Sequence, residues 1–303
     1  MKKIDAHMHV AKVIAGYCRR GELRAIGRGK VMWGNGEVFS LIPEGYGDTS
    51  FTVESAMEIM KKHEVEKAVL MQGSMYGFQN QYHYEILQAY PDIFCPSCTV
   101  DPYMTEHLQT LFTYLTKMKF HLVKFELSSG GGLMGCHDAF SLASDRMMEI
   151  YKMIEEHHGV LALDVGDITM PSHQPENLLK IAEACPHMRI VICHLLAPVT
   201  GRELEWENSL RLLNQDNIWF DLAALPKIAD AKRYPYSEVF GFLKTAKGIL
   251  GSKKMMWGTD APFAATRDTY EELTTYLETS GIFQEEELMD IFYQNADQVY
   301  FKK

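Results

Sequence analysis

The chain has 303 residues, 47% of them hydrophobic and 23% charged, which is the composition of a folded globular protein and excludes wholesale disorder. Asp and Glu outnumber Lys and Arg by 40 to 30, and the resulting net charge of −10 argues against nucleic acid as the main partner. We expect no membrane partner and no secretory signal, because the sequence lacks a long apolar run and begins with polar residues.

Short apolar segments, each bounded by polar residues or by Gly or Pro, predict eight β-strands. Their predicted ranges are 3–9, 67–72, 94–100, 121–127, 160–165, 189–194, 217–222 and 255–259. Most of these strands begin 27 to 39 residues apart, which suits a parallel strand followed by a crossover helix and two loops.

Amphipathic segments between the strands predict helices, and the clearest cover 52–64, 144–158, 174–185 and 268–280. The last of them is expected to begin with Asp268 as its cap and to end at Gly281. Met and aromatic side chains recur along these helices at helical spacing, which is typical of residues that face a core.

Eight strands that alternate with helices predict an α/β fold, namely a (β/α)8 TIM barrel that forms one domain over residues 1–303. An open doubly wound sheet is the alternative, but no G-x-G-x-x-G motif follows the first strand. Residues 11–50 are rich in glycine and lengthen the first interval, so they predict a lid-like or irregular insertion. A smaller insertion, 128–143, follows the fourth strand.

Six cysteines without a secretory signal favour free thiols in a reducing cytoplasm. Cys95 and Cys98 have the C-x-x-C spacing of redox and zinc sites. They fall in a predicted apolar strand, and no second pair completes a zinc set, so we interpret them as small buried hydrophobic residues.

The carboxyl ends of barrel strands carry the catalytic side chains in enzymes of this fold, so polar residues there are the candidates. The first strand ends in His7-Met8-His9, and residues two apart on a strand face the same side. Two imidazoles that point together suit a divalent metal, although the H-x-H pattern alone is unspecific.

Further polar residues close other strands. Asp164 follows the fifth strand and is either a metal or proton-handling group or a loop cap; His194 ends the sixth, where a core histidine is the alternative. Asp260 follows the eighth strand and is either a metal-binding base or a turn residue. Lys124 on the fourth strand is expected to bind a substrate carboxylate or to pair with an acidic neighbour.

Other polar residues have weaker indications. Asp221, on the seventh strand, is expected to have a structural role, and His83 is expected on the surface of a helix.

Four motifs in this order resemble the amidohydrolase superfamily, and more narrowly its amidohydrolase-related group of metal-dependent hydrolases and decarboxylases. They are I-D-A-H-M-H at 4–9, V-I-C-H-L at 191–195, G-T-D-A-P at 258–262 and I-F-Y-Q-N-A-D at 291–297. The resemblance covers nearly the whole chain.

The resemblance implies one or two metal ions, usually zinc, at the strand ends. His7 and His9 match metal ligands, His194 matches a histidine that binds metal or assists catalysis, and Asp260 matches a residue that binds metal and acts as general base. Asp164 stands where the family usually has a histidine. As a ligand it would add negative charge, which favours Mn²⁺ over Zn²⁺ or leaves the metal weakly held or absent.

These residues lead us to expect hydrolysis of a small amide, ester or lactone by a metal-activated water, with Lys124 and Arg267 binding the substrate. One alternative is decarboxylation or hydration of a small carboxylic acid, which the change at Asp164 disfavours. A catalytically inactive barrel with a binding role is the second alternative. The resemblance also makes a homo-oligomer an open expectation.

Overall fold

The structure is a computed structural model that describes residues 1–302. Its strands are, in chain order, Lys3–Met8 (β1), Ala15–Cys18 (β2), Gly21–Gly27 (β3), Lys30–Trp33 (β4), Val38–Ser40 (β5), Val65–Leu70 (β6), Phe94–Pro96 (β7), Leu122–Glu126 (β8), Val160–Asp164 (β9), Arg189–Ile192 (β10), Ile218–Asp221 (β11) and Met255–Met256 (β12). All eight predicted strands are confirmed, as β1 and β6 to β12. Strands β2 to β5 lie in the first insertion.

Helices lie between the barrel strands and after the last of them. They are Val53–Lys62 (α1), Asn80–Ala89 (α2), His107–Thr116 (α3), Asp145–Glu156 (α4), Pro175–Ala184 (α5), Glu203–Leu212 (α6), Leu225–Ile228 (α7), Phe240–Leu250 (α8), Tyr270–Thr279 (α9) and Glu285–Met289 (α10). Two π-helical turns, Asp290–Gln294 and Asp297–Phe301, follow α10. Within the described residues, no helix is long and apolar enough to span a bilayer.

The eight barrel strands form two parallel sheets, β1-β6-β7 and β8-β9-β10-β11-β12, whose edges meet. On one side, the Lys124 amide donates to the Cys98 carbonyl at 2.9 Å, and Cys98 bridges to Val123. On the other side, the Ala6 amide donates to the Trp257 carbonyl at 3.0 Å. These bonds join β7 to β8 and β12 to β1, so the predicted (β/α)8 barrel is confirmed.

The buried core has two main parts. A small cluster fills the barrel interior with side chains such as Ile4, Val69 and Val191, and Tyr300 of the last π-helical turn belongs to it. A larger cluster lies between the strands and the surrounding helices. Cys95 and Cys98 are buried free thiols, as the sequence indicated.

The first insertion is more regular than its composition suggested. Strands β2 to β5 form a four-stranded antiparallel sheet, and Leu23, Val31 and Trp33 alternate with exposed residues and are buried. Glycine-rich turns obscured this alternation in the sequence. The sheet hydrogen-bonds to the loop after β6, since the Tyr17 amide donates to the Ser74 carbonyl at 3.2 Å. Its role as a lid stays a prediction.

Two local expectations need correction. Helix α9 is capped by Thr269 in place of Asp268: the Thr269 hydroxyl accepts the Glu272 amide, and the Glu272 carboxylate accepts the Thr269 amide. Thr269 is the N-cap because its hydroxyl and Glu272 form a reciprocal capping box. His83 is fully buried, with Nδ1 2.7 Å from the Ser97 carbonyl oxygen, so it is no surface residue.

The buried amide of Asn295 holds the C-terminal segment against the barrel, since Nδ2 donates to the Ser252 and Met255 carbonyls at 2.8 and 2.7 Å. We expect Asn295→Ala to lower the free energy of unfolding by about 1–3 kcal/mol, because it leaves buried carbonyl groups unpaired. Denaturant unfolding measures this. Asn214→Ala removes one bond at an exposed site and is the control; equal losses in both variants would contradict the prediction.

Candidate active site

A cavity of about 420 Å³ opens at the carboxyl ends of the barrel strands. Six of the seven side chains predicted for the site line it: His7, His9, Lys124, Asp164, His194 and Asp260. The barrel ring therefore brings together residues that are as far apart as 253 positions in the sequence.

The Nε2 atoms of His7 and His9 point toward the same position. The outer nitrogen of His9, Nδ1, lies 2.8 Å from the Met71 carbonyl oxygen, which can only accept, so Nδ1 carries the proton. His7 Nδ1 lies 3.0 Å from an oxygen of the buried Asp221 carboxylate and is a donor for the same reason. Each neutral ring then has its lone pair on Nε2, and the two Nε2 atoms are 3.2 Å apart.

Asp260 brings a third acceptor to this point. Its Oδ1 lies 3.0 Å from His9 Nε2 and 3.8 Å from His7 Nε2. Burial opposes ionisation of Asp260, but a hydrogen bond from His9 and the charge of the nearby histidines outweigh burial and hold its pKa below the usual range. That hydrogen bond needs a proton on His9 Nε2, and a cation bound between these groups would take the place of this proton. The backbone places it there, since the Asp260 amide donates to the His7 carbonyl at 2.8 Å across the junction of β12 and β1.

These three atoms fit a divalent cation. Two imidazole nitrogens and a carboxylate oxygen converge, and both rings have already committed their protons to other acceptors. Lone pairs that face each other repel unless a cation or a proton lies between them. Three protein ligands from N and O atoms, with room for water or substrate, are the donor set of catalytic metal sites. The predicted ligands His7, His9 and Asp260 therefore lie together.

Asp221 supports this group from behind. It is fully buried: one carboxylate oxygen accepts from His7, and the other accepts the amides of His194 and Ala223 at 2.8 and 3.1 Å. Burial would raise the Asp221 pKa, but His7 and His194 lower it overall. This carboxylate orients a candidate ligand, which is more than the structural role expected. Its position at the end of an apolar strand was the available signal.

Asp164 is placed differently from the expectation that it binds metal. Its Oδ2 lies 3.5 Å from His194 Nε2, and its Oδ1 accepts the Gly166 amide at 3.0 Å. It is not part of the His7, His9 and Asp260 group, because β9 lies across the barrel from β1 and β12. The sequence alone does not indicate which neighbouring residue the Asp164 carboxylate contacts.

His194 is held as a proton donor. Its Nδ1 donates to the Ala223 carbonyl at 2.9 Å, so a second proton would sit on Nε2 and face Asp164. Burial lowers the His194 pKa, but Asp164, Asp221 and Asp260 together raise it to about 10. At neutral pH this environment favours the imidazolium, which can donate into the cavity.

The predicted substrate residues divide between two places. Lys124 is buried and lines the cavity, whereas Arg267 is exposed and donates to the Asp268 carboxylate at 2.8 and 2.6 Å. The structure does not bring Arg267 into the cavity, because its neighbour Asp268 holds it outside. Lys227 of α7 supplies a second cation in the lining, and no motif in the sequence pointed to it.

Fold and site define a class of protein: a (β/α)8 barrel with a His and Asp group at its strand ends that can hold a catalytic cation. The family model described as amidohydrolase matches residues 4–302. The chain therefore belongs to the amidohydrolase family and is an enzyme, as the motifs indicated. Comparison with curated proteins gives no match.

Solved structures share this fold at low identity. A probable 2-pyrone-4,6-dicarboxylic acid hydrolase from Acinetobacter baumannii with citric acid bound is 19% identical, with a TM-score of 0.70 and 100% of each chain covered. An amidohydrolase from Burkholderia multivorans with bound Zn is 13% identical, with a TM-score of 0.73 and 100% of each chain covered. The 5-carboxyvanillate decarboxylase from Sphingomonas paucimobilis is 11% identical over 82% of each chain, with a TM-score of 0.57.

The backbone after β10 is strained at the site. Residues His194 to Ala197 all have positive φ, from 45° to 60°, although none is glycine. Such conformations are costly for residues with a Cβ and persist where the surroundings enforce them. The Trp206 indole N–H contributes by donating to the Leu195 carbonyl at 2.9 Å.

Ala197→Gly should relieve part of this strain, since glycine adopts positive φ without steric cost. We expect the free energy of unfolding to stay unchanged or to rise by up to about 1 kcal/mol. Ala246→Gly, in the middle of α8 and also buried, is the matched control and should lose about 1 kcal/mol. Thermal or urea unfolding compares the two variants, and equal losses would argue against strain at Ala197.

Proposed function

We propose that the protein is a metal-dependent hydrolase that adds water to the carbonyl carbon of a small amide, ester or lactone. One observation carries the proposal. The Nε2 atoms of His7 and His9 and the Asp260 Oδ1 converge, while both outer ring nitrogens donate to fixed acceptors. With both Nδ1 protons directed to other acceptors, the two Nε2 atoms and the Asp260 oxygen can hold either an additional proton or a cation, and this donor set is typical of a metal site.

Zinc is the metal that we propose, because a mixed His and carboxylate donor set with an open position is typical of catalytic zinc. The neighbouring amidohydrolase with bound Zn supports this choice. Asp164 faces His194 and does not join the three candidate ligands, which weakens the argument for Mn²⁺. Mn²⁺ remains the alternative to be tested.

The cation would lower the pKa of a water molecule and polarise the substrate carbonyl. The Asp260 carboxylate would accept the proton of the attacking water. His194 donates from Nε2 to the oxygen that gains negative charge, and the Asp164 carboxylate keeps that proton available. Lys124 binds an anionic group of the substrate, because its ammonium has no hydrogen-bond partner among residues 1–302.

Decarboxylation is the second candidate, and the protonated His194 favours it as a source of the proton that replaces CO₂ on carbon. Decarboxylases are also among the structural neighbours. The third hypothesis is a catalytically inactive barrel that only binds ligands. We further propose a cytoplasmic location, because five of the six free cysteines are buried thiols. A homo-oligomer stays a prediction.

Purified protein should contain about one Zn²⁺ or Mn²⁺ per chain by mass spectrometry, and His9→Ala should lose it. Asp221→Asn should weaken metal affinity by about 10- to 100-fold, because it removes the acceptor that orients His7. His187→Ala, at an exposed histidine, is the control and should keep its metal. If the protein takes up neither metal, the hydrolase mechanism is refuted. A catalytically inactive barrel that binds ligands would then be the better hypothesis.

Asp260→Asn should lower kcat for a hydrolysed substrate by about 10²- to 10⁴-fold, since the amide cannot accept the proton of water. A screen of carboxylate-bearing lactones, amides and esters, read by proton release, identifies the substrate. Release of CO₂ from a carboxylic acid, without water addition, would instead assign the lyase. Turnover by Asp260→Asn at the wild-type rate would contradict the proposed role of this residue.

A further inference from the structure

Two lysine side chains line the cavity, and neither ammonium has a carboxylate within ion-pair distance. Lys124 is almost fully buried on β8, and Lys227 is half-buried on α7, which follows β11. Neither ammonium makes a hydrogen bond or an ion pair with any side chain or carbonyl within residues 1–302. Burial opposes the charge of Lys124, but Glu126 and Asp164 outweigh burial and raise its pKa, whereas burial lowers the pKa of Lys227 to about 8. An anionic group that enters the cavity beside Lys227 would therefore stabilise a charge that the protein itself does not pair.

The carboxylates of the cavity are occupied elsewhere. Glu126 accepts the Ser74 amide, Asp164 faces His194, and Asp260 lies against His9. Asp167 accepts both the amide and the hydroxyl of Thr169, at 2.8 and 2.6 Å. None of them lies within ion-pair distance of either lysine, so the lysines remain free to bind anionic groups.

The two cations stand well apart around the barrel mouth. Strands β9 and β10 separate the strand of Lys124 from the strand that precedes Lys227. Lys227 Nζ lies 2.9 Å from the centroid of the Phe263 ring, which holds its position on the wall. Phe263, Met75 and Met170 supply apolar surface in the same cavity. The cavity therefore combines some apolar surface with a cation at two separate points.

We propose that Lys227 is a specificity-determining residue which, together with Lys124, selects substrates that carry two anionic groups on an apolar frame. This inference rests on the proposed function for the location of the reaction, and it assigns to Lys227 the role that the sequence suggested for Arg267. A single carboxylate would satisfy Lys124 and leave Lys227 unpaired. A second anionic group would satisfy both.

Binding of aromatic acids to the zinc-supplemented protein tests the inference without turnover. Calorimetry compares isophthalate with 3-carbamoylbenzoate, which has the same shape and one charge fewer, while phthalate and terephthalate vary the spacing. We expect one dicarboxylate to bind about tenfold or more tighter than its neutral-amide analogue. Lys227→Gln should reduce that ratio to about twofold or less and leave the affinity of benzoate unchanged.

Lys227→Arg should keep most of the preference, and Lys232→Gln, an exposed lysine on the next loop, should keep all of it. A preference that survives Lys227→Gln, or the failure of all three dicarboxylates to bind at millimolar concentration, overturns the inference. Metal content and turnover separate it from the proposed function. If the protein prefers dicarboxylates over their neutral-amide analogues but binds no metal, only the proposed hydrolase is refuted. If it turns over monoanions in a metal-dependent reaction but shows no preference for dicarboxylates, only the role of Lys227 is refuted.

Discussion

The buried carboxylate of Asp5 holds the two ends of the barrel ring together, and the active-site geometry depends on it. It accepts the amides of His7 and Thr259 at 3.1 and 3.0 Å, and the hydroxyls of Thr259 and Tyr270 at 2.6 and 2.9 Å. Burial raises its pKa to about 6, and these four bonds offset part of that cost. Because His7 and His9 leave β1 where Asp260 leaves β12, this joint sets the distance between the candidate ligands.

Proton placement gives the cluster its chemistry. The Nδ1–H groups of the two candidate ligands, His9 and His7, donate hydrogen bonds to the Met71 carbonyl and the Asp221 carboxylate. These acceptors have no proton of their own to donate. His194 has the opposite arrangement, since a carbonyl holds one ring proton and Asp164 favours a second. The same residue type thus serves as a lone-pair donor on one side of the cavity and as an acid on the other.

The first insertion contributes to the site indirectly. Its sheet hydrogen-bonds to the loop after β6, and the Arg19 amide donates to the Gly135 carbonyl at 2.9 Å in the second insertion. Gly16 lies so close to the Met75 carbonyl that a Cβ there would come within 2.4 Å of it. The insertion therefore fixes the loops that bear Met75 and Ser128, both of which line the cavity.

The sequence by itself determined the barrel and most of its site, because strand periodicity and repeat length are local properties and barrel enzymes place function at strand ends. His7, His9, His194 and Asp260 could be found in this way. Only the tertiary structure decided that Asp164 faces His194, that Asp221 contacts His7, and that Lys227 lines the cavity while Arg267 does not. These outcomes depend on which strand ends and loops meet across the ring, and residues more than 200 positions apart leave no local pattern of such contacts.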